Sequence, residues 1–272
     1  MNLFTPAEMV DNYAAVSIKK SQMKLGRMFI LAILAGMFIA FAADVTNTAS
    51  MGIADAGLAK TVNGLLFPMG LAMVILSGSE LFTGNCLMTM GVLDKRIRLT
   101  GMLRNLVVVY IGNFVGALIV SFCVAKFGQL NIGAGALAAV TMKITAAKCS
   151  IPWANAFVQG ILCNILVCFA VLFSLSAKDV TGRILGAFIP VCFFVIMGYN
   201  HSIADMFYGT VGIFAADNPT YLQLAQSASV DMTHIGWGCY FLNNMIPVTL
   251  GNIVGGVLVS ASMWFCHFKK SK

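Results

Sequence analysis

Six long apolar stretches, separated by short polar ones, limit most strongly what this chain can fold into. They cover approximately residues 27–47, 61–91, 100–125, 153–176, 184–212 and 239–266. A helix needs about 20 mostly apolar residues to cross the hydrocarbon core of a bilayer, and each stretch is long enough. Only 10% of the residues are charged, whereas a soluble domain usually has about 25%. The pattern predicts an all-α membrane protein with six transmembrane helices in contact with a lipid bilayer.

The basic side chains between the stretches predict the orientation, because Lys and Arg accumulate on the cytoplasmic side of a membrane. One side has thirteen of them: Lys19, Lys20, Lys24, Arg27, Lys95, Arg96, Arg98, Arg104, Lys178, Arg183, Lys269, Lys270 and Lys272. The other side has four: Lys60, Lys126, Lys143 and Lys148. We therefore expect both termini in the cytoplasm, in a bacterial inner or plasma membrane.

The same pattern divides the chain. Residues 1–26 are predicted to form a cytoplasmic amphipathic arm without a cleaved signal peptide, 27–266 a single transmembrane channel domain, and 267–272 a cytoplasmic tail. The net charge of +7 comes from loops without interleaved aromatic residues, so no nucleic-acid partner is expected. The eight cysteines include no Cys-x-x-Cys pair, and we expect no disulfide framework, metal or cofactor.

Two of the stretches resemble each other. Residues 103–116 align without gaps on 242–255, and both contain Gly-Asn-x-x-Gly. The alternative is chance similarity between apolar helices. Glycines at this spacing let helix backbones approach closely in lipid. Because the copies are three helices apart, the halves would have opposite orientations, as in transporters built from an inverted 3+3 repeat.

The second and fifth stretches are interrupted at matching places, in residues 77–85 and 198–205. A glycine, Gly78 or Gly198, precedes Asn85 or Asp205 by seven residues. A broken helix frees backbone N–H and C=O groups, which are tolerated at membrane depth only where protein or water satisfies them. We expect both interrupted segments to line a cavity, with Pro68 and Pro190 as possible kinks upstream.

Three ionisable residues, Glu80, His201 and Asp205, lie in these segments. An ionisable side chain inside a membrane is a functional candidate, because its burial is costly. Structural roles compete with function: Asp205 is interpreted as a helix cap, and Glu80 as an acceptor for backbone N–H groups of its loop. His201 has no evident structural role and can exchange a proton near neutral pH, which favours a functional one.

The interrupted segments and several flanking motifs are similar to those of the formate/nitrite transporter family. The matching residues are Glu80 to Asn85, Gly198 to Met206, Lys148, Pro152-Trp153, Gly160 to Asn164 and Pro6 to Glu8. The likeness covers nearly the whole chain and looks closest to the hydrosulfide channel members. It implies an aquaporin-like protomer, a homopentamer with one pore in each protomer, and a small monovalent anion as substrate: hydrosulfide, formate or nitrite.

The resemblance also implies roles for individual residues. His201 and Thr83 would face each other at the middle of the pore, where His201 would assist protonation of the anion. The other implied positions are the constrictions Leu81, Phe82, Leu71, Phe67 and Phe194, the charged outer residue Lys148, the pore-facing amides Asn164 and Asn252, and the loop supports Glu80, Asn200 and Asp205. Many formate channels have Glu where this chain has Asn200, which favours hydrosulfide over formate.

Other functions agree less well with the sequence. A proton-coupled secondary carrier of formate or nitrite remains an alternative to a passive channel. An aquaporin-type solute channel needs two Asn-Pro-Ala-like helix starts, and the single Asn-Pro, Asn218-Pro219, has no counterpart. An integral membrane metalloprotease needs a cluster such as His-Glu-x-x-His, whereas only one of the three histidines lies within a span. We therefore do not expect an enzyme.

Overall fold

The computed structural model describes residues 2–268, and within that range the regular structure is helical apart from one β-bridge between Leu3 and Ala177. We number the helices along the chain. They are α1 Pro6–Ser21, α2 Leu25–Ser50, α3 Ala56–Leu66, α4 Pro68–Ser77, α5 Phe82–Leu93, α6 Leu99–Lys126, α7 Ala136–Cys149, α8 Trp153–Ser176, α9 Val180–Met197, α10 Ser202–Ala215, α11 Pro219–Ser227 and α12 Trp237–His267.

Six helical segments of the described chain are long and apolar enough to cross a bilayer, which confirms the predicted number of spans. They are α2, α3 together with α4, α6, α8, α9 and α12. The predicted second and fifth spans ran through to residues 91 and 212. In the structure these spans end at Ser77 and Met197, and the shorter apolar helices α5 and α10 follow each break. The predicted tail residues Lys269, Lys270 and Lys272 lie outside the described residues.

Both breaks begin with a glycine in the left-handed backbone region. Gly78 ends α4 with φ +68°, and Gly198 ends α9 with φ +75°. Side chains other than glycine adopt this conformation at a cost, so glycine is the residue that stops each helix cleanly. Pro68 occupies the first position of α4, where its missing N–H costs nothing, whereas Pro190 lies inside α9.

The two Gly-x-x-x-Gly motifs lie where two pairs of long helices pack together. A Cβ atom on Gly116 of α6 would stand 2.1 Å from the carbonyl oxygen of Ile33 in α2. One on Gly251 of α12 would stand 2.2 Å from the carbonyl oxygen of Phe157 in α8. Such distances leave no room for a methyl group, so these glycines set how closely α2 and α6, and α8 and α12, approach.

Three shorter helices complete the fold. The arm helix α1 begins with a capping box, in which Thr5 and Glu8 each hydrogen-bond to the other's backbone N–H. Asn218 caps α11, so the Asn-Pro pair starts a helix rather than lying in a plain loop. The helix α7 packs against α10 and has Lys148 in its last turn. Both α7 and α11 lie between the six apolar stretches of the sequence, because neither is long and apolar enough to span a bilayer.

Candidate functional site

The first break is held by an asparagine of a neighbouring helix. Asn113 of α6 accepts a hydrogen bond from Phe82 N through its side-chain oxygen, at 3.0 Å. Its side-chain nitrogen donates to the carbonyl oxygens of Ala32 and Glu80, at 2.7 and 2.9 Å. One buried amide therefore satisfies two backbone groups that the interrupted helix leaves without partners, and it also joins the break to α2.

The second break has the same arrangement on α12. Asn252 accepts from Ser202 N at 2.9 Å and donates to the carbonyl oxygens of Gly160 and Asn200, at 2.8 and 3.1 Å. This position differs from the expectation of a pore-facing amide, because the side chain of Asn252 is occupied by the backbone around the break. The two asparagines belong to the two Gly-Asn-x-x-Gly motifs.

An ion pair lies beside the first break. Glu80 is 3% exposed, and its Oε1 is 2.6 Å from Nζ of Lys20 at the end of α1. Its Oε2 accepts from Asn85 at 2.7 Å and from Asn105 at 3.4 Å. The prediction that this carboxylate accepts backbone N–H groups was wrong, since its partners are side chains. Glu80 supports the break by joining it to the arm and to α6.

A second ion pair lies beside the second break. Asp205 is 1% exposed, and its Oδ1 is 2.6 Å from Nζ of Lys148, which also contacts the side-chain oxygen of Asn200. The other carboxylate oxygen accepts from Asn244 at 3.1 Å. Asp205 lies in the first turn of α10, but the cap of this helix is another residue and the carboxylate bonds to side chains, so the interpretation of Asp205 as a helix cap was wrong.

The cap of α10 is His201. Its Nδ1 accepts a hydrogen bond from Ala204 N at 3.2 Å, and its Nε2 is 2.9 Å from Oγ1 of Thr83. The sequence had suggested no structural role for His201, because histidine is an uncommon cap. The two interrupted segments thus meet directly, through a buried histidine from one and a buried threonine from the other.

Three cavities follow one another through the protomer. The distal cavity, of about 140 Å³, is lined by residues that include Lys60, Lys148 and Tyr208. The arm-side cavity, of about 130 Å³, includes Tyr13 and Lys20 of α1. A central cavity of about 10 Å³ lies between them, and His201 is its one polar lining residue among those described.

Two narrow places separate these cavities. Phe67 and Phe194 line both the distal and the central cavity, and their rings meet edge to face with centroids 6.0 Å apart. Leu71 and Leu81 line both the central and the arm-side cavity. These four residues, all expected at constrictions, are therefore placed where a passing solute would have to leave most of its water.

The other expected pore residues lie behind this path in the structure. Phe82 packs edge to face on Tyr110, with ring centroids 4.9 Å apart, and lines none of the three cavities. Asn164 donates to the carbonyl oxygens of Thr83 and Asn252, at 3.3 and 2.6 Å. It therefore joins the segment after the first break to α12, the helix whose Asn252 supports the second break.

Several residues that line the cavities are not among those predicted from the sequence. Asn47 and Asn63 contribute polar groups to the distal cavity beside Lys60, which had been used only as an orientation signal. Asn47 is a polar side chain within the first apolar stretch, and that placement in a membrane helix was the signal available for it. No such signal marked Tyr13, whose hydroxyl donates to the carbonyl oxygen of Gly84 at 2.9 Å from the separate arm helix.

Comparison with known proteins gives a consistent result. The family model described as formate/nitrite transporter matches residues 7–266. A probable formate transporter of Methanothermobacter thermautotrophicus is 38% identical, over 98% of each chain. The formate channel FocA of Haemophilus influenzae is also 38% identical, over 93% of this chain and 91% of that protein. A solved structure described as a pentameric formate channel with formate bound has a TM-score of 0.77 at 33% identity, covering 89% of this chain and 96% of that one.

Proposed function

Because this chain belongs to the formate/nitrite transporter family, a family of multi-pass membrane transport proteins and not of enzymes, we propose that it passes a small monovalent anion through its three successive cavities. The observation that carries this proposal is the apolar constriction on each side of the central cavity, with His201 as the polar group between. Such a path suits a solute of a few atoms.

The size of the central cavity determines the form in which the solute crosses. About 10 Å³ holds roughly one water molecule. An anion there loses almost its whole hydration shell, and a bare charge in apolar surroundings is costly enough that a weak acid takes up a proton instead. The substrate therefore crosses the central cavity as its neutral conjugate acid and ionises again beyond it.

The contacts of His201 favour hydrogen-bond donation by the ring over transfer of a proton from the ring to the solute. Its Nδ1 accepts a hydrogen bond from Ala204 N, so a neutral ring has its proton on Nε2, which points to Thr83. An imidazolium ring would have a proton on Nδ1 as well and would lose this capping bond. His201, the polar group that lines the central cavity, therefore acts as a neutral hydrogen-bond donor to the solute at the narrowest place, with Thr83 as its partner when no solute is there, while water of the distal cavity supplies the proton.

Formate is the first substrate to test, since the relatives named above are formate transporters or channels. Hydrosulfide and nitrite are the other two. The sequence favoured hydrosulfide because Asn200 replaces a carboxylate common in formate channels, yet Asp205 supplies a carboxylate to the same lysine, Lys148. The reason for excluding formate is therefore weaker than it was from sequence alone.

Purified protein in liposomes tests the proposal. We expect uptake of at least one of formate, nitrite and hydrosulfide, rising as the external pH falls, because the neutral acid becomes more abundant. His201→Asn keeps a capping side chain but removes the titratable ring, so the variant should transport several-fold more slowly and keep this pH dependence. His201→Ala, which also removes the cap, should in addition be less stable by about 1 kcal/mol.

Two outcomes of this experiment are decisive. Absence of uptake of all three solutes by well-folded wild-type protein would contradict the proposed function. If transport by His201→Asn no longer depends on pH, the result would instead support transfer of a proton from the histidine to the anion. Proton movement measured in the same liposomes separates a proton-coupled carrier from a passive channel.

The assembly and orientation belong to the same proposal. The solved relative described as pentameric is similar over nearly its whole length, which supports a homopentamer with a pore in each protomer. The excess of Lys and Arg on the α1 side supports a cytoplasmic arm in a cell membrane. The mass of the detergent-solubilised complex tests the first point, and protease access to the arm in intact cells tests the second.

A further inference from the structure

The wall of the distal cavity contains polar atoms without partners. Within residues 2–268, Nδ2 of Asn47 and Oδ1 of Asn63 are buried and make no hydrogen bond. Asn47 is 2% exposed, lies on the membrane-spanning helix α2, and lines this cavity. A buried donor without an acceptor costs about 1–3 kcal/mol. Asn47 therefore presents a donor that is suited to an acceptor entering the cavity.

The same wall has an excess of positive charge. Lys148 is paired with Asp205 at 2.6 Å, which neutralises one of the two lysines that line the cavity. The second, Lys60, makes no ion pair with the acidic residues of the described chain. Its Nζ lies against the second break, 3.1 Å from where a Cβ atom of Gly198 would stand. The cavity therefore has one lysine charge that no carboxylate offsets.

We propose that Asn47 and Lys60 form a capture site that holds the anion in the distal cavity before it reaches the Phe67–Phe194 constriction. The amide N–H and the ammonium group both donate hydrogen bonds, which selects an acceptor with negative charge. Asn63, whose oxygen is free to accept, selects in addition for a solute or water molecule with a proton to donate. The inference rests on the proposed function and deepens it, because it separates capture from the central crossing at His201.

Concentration dependence of transport tests the capture site. Formate flux is measured in liposomes in both directions over a wide concentration range, so that the result does not depend on the orientation of the protein. We expect Asn47→Leu and Lys60→Gln to raise the half-saturating formate concentration about three- to tenfold, the loss expected for one hydrogen bond to a charged group near solvent. The maximal flux should change less, because the central cavity is untouched.

Lys143→Gln is the matched control. Lys143 is an exposed lysine on α7, next to the lining residue Ile144, and it does not itself line the cavity. Its replacement removes the same charge and should leave the half-saturating concentration unchanged. A further variant, Asn47→Asp, replaces the donor by a carboxylate of the same shape and should weaken capture more than Asn47→Leu, because it repels the anion.

The proposal and the function that it rests on fail in different ways. If wild-type protein transports formate and Asn47→Leu and Lys60→Gln retain its concentration dependence, the capture site is wrong and the proposed function stands. Equal loss of affinity in Lys143→Gln would likewise overturn it, because the effect would then be general surface charge. Circular dichroism and the mass of the complex exclude misfolding as the cause of any loss. Protein that folds and transports none of the three solutes contradicts the proposed function itself.

Discussion

Around each break, an asparagine from a neighbouring helix makes three hydrogen bonds to backbone groups, and a lysine pairs with a buried carboxylate. The first break uses Asn113, with Glu80 as the carboxylate, and the second uses Asn252, with Asp205. The same backbone problem, an interrupted helix in lipid, thus has the same solution twice. The opposite orientation of the two halves stays a prediction, and these matched contacts support it.

The breaks differ in where the carboxylate lies. Glu80 lies two residues after its glycine and is followed by the amide Asn85. In the second break the order is reversed, with the amide Asn200 first and the acid Asp205 five residues later. Lys148 contacts both Asn200 and Asp205, so a carboxylate at either position lies within its reach. The second break could therefore have its carboxylate at position 200 or at position 205, whereas the backbone geometry is the same in both breaks.

The two breaks differ also in the helix that supplies the lysine and in the residue that directly precedes the helix after the break. Lys20 comes from the arm helix α1, whereas Lys148 comes from the last turn of α7, and the two lysine side chains are similarly exposed, at 16% and 18%. Leu81 and His201 have nearly the same backbone, with φ of −113° and −108°, but only His201 caps the helix that follows. The two breaks therefore share their backbone conformation, whereas His201, the residue that we propose contacts the solute, belongs to the second break alone.

The largest effect is expected from removing either asparagine. Asn113→Leu and Asn252→Leu each leave two buried backbone groups of a break without partners, at about 1–3 kcal/mol each, so both should lower the free energy of unfolding by about 2–6 kcal/mol. Thermal unfolding of the detergent-solubilised protein measures this. Asn243→Leu, which removes one half-buried bond to the carbonyl oxygen of Cys149, is the control and should cost about 1 kcal/mol. A mild effect at one break and a severe one at the other would show that the two are not equivalent.

A smaller effect is expected from moving the acid. Asp205→Asn alone leaves Lys148 without a carboxylate and should cost about 2 kcal/mol, less than for a fully buried pair because the lysine is partly exposed. Adding Asn200→Asp should restore most of that stability, since Lys148 already contacts position 200 and Gln159 can turn its amide to suit the new carboxylate.

The equivalent exchange at the first break is the control. Glu80→Gln combined with Asn85→Asp moves the carboxylate from the residue that Lys20 contacts to one whose side-chain bonds are to Glu80 and Asn105. We expect no recovery relative to Glu80→Gln alone, measured again by thermal unfolding. Recovery here, or its absence at the second break, would refute the difference in tolerance that we infer.

The smallest effect concerns the arm that supplies Lys20. Hydrogen bonds from the backbone N–H and the hydroxyl of Thr5 hold the pKa of Glu8 below its ordinary value of 4.5. The stabilisation of the start of α1 is therefore complete above pH 4.5 and is lost as the pH falls through the lowered pKa. Hydrogen exchange in residues 6–10, corrected for the intrinsic rate, should be faster in Glu8→Gln than in wild type at neutral pH.

The two proteins should converge in strong acid, where Glu8 of the wild type is also uncharged. A difference that persisted there would mean that the charge of Glu8 is not what stabilises the arm. Because Tyr13 and Lys20 of the arm contact the first break, we expect the arm to influence flux. Flux through protein that lacks residues 1–26 tests it.

The order of residues alone predicts the number of spans and the two breaks, whereas the meeting of Thr83 with His201 was implied by the family resemblance. Apolar length decides whether a segment spans a bilayer, and a polar interruption within it is costly, so both features are visible in the order of residues alone. The repeated Gly-Asn-x-x-Gly motif also predicts the two close helix contacts, because glycines at this spacing let helix backbones approach closely. The asparagines of this motif are also visible in the sequence, but their hydrogen bonds to the backbone of the breaks are not, because a pattern does not show which backbone groups lie nearby.

The pairing of polar groups depends on the packing of the helices. Lys20 and Glu80 are 60 residues apart, and Lys148 and Asp205 are separated by the whole of α8 and α9, so no local spacing predicts either ion pair. The position of Phe82 behind the path and the unpartnered amide of Asn47 also depend on where neighbouring helices pass. Hydrophobicity and backbone breaks are local properties, whereas a hydrogen bond or an ion pair exists only between groups that the packing brings within about 3 Å.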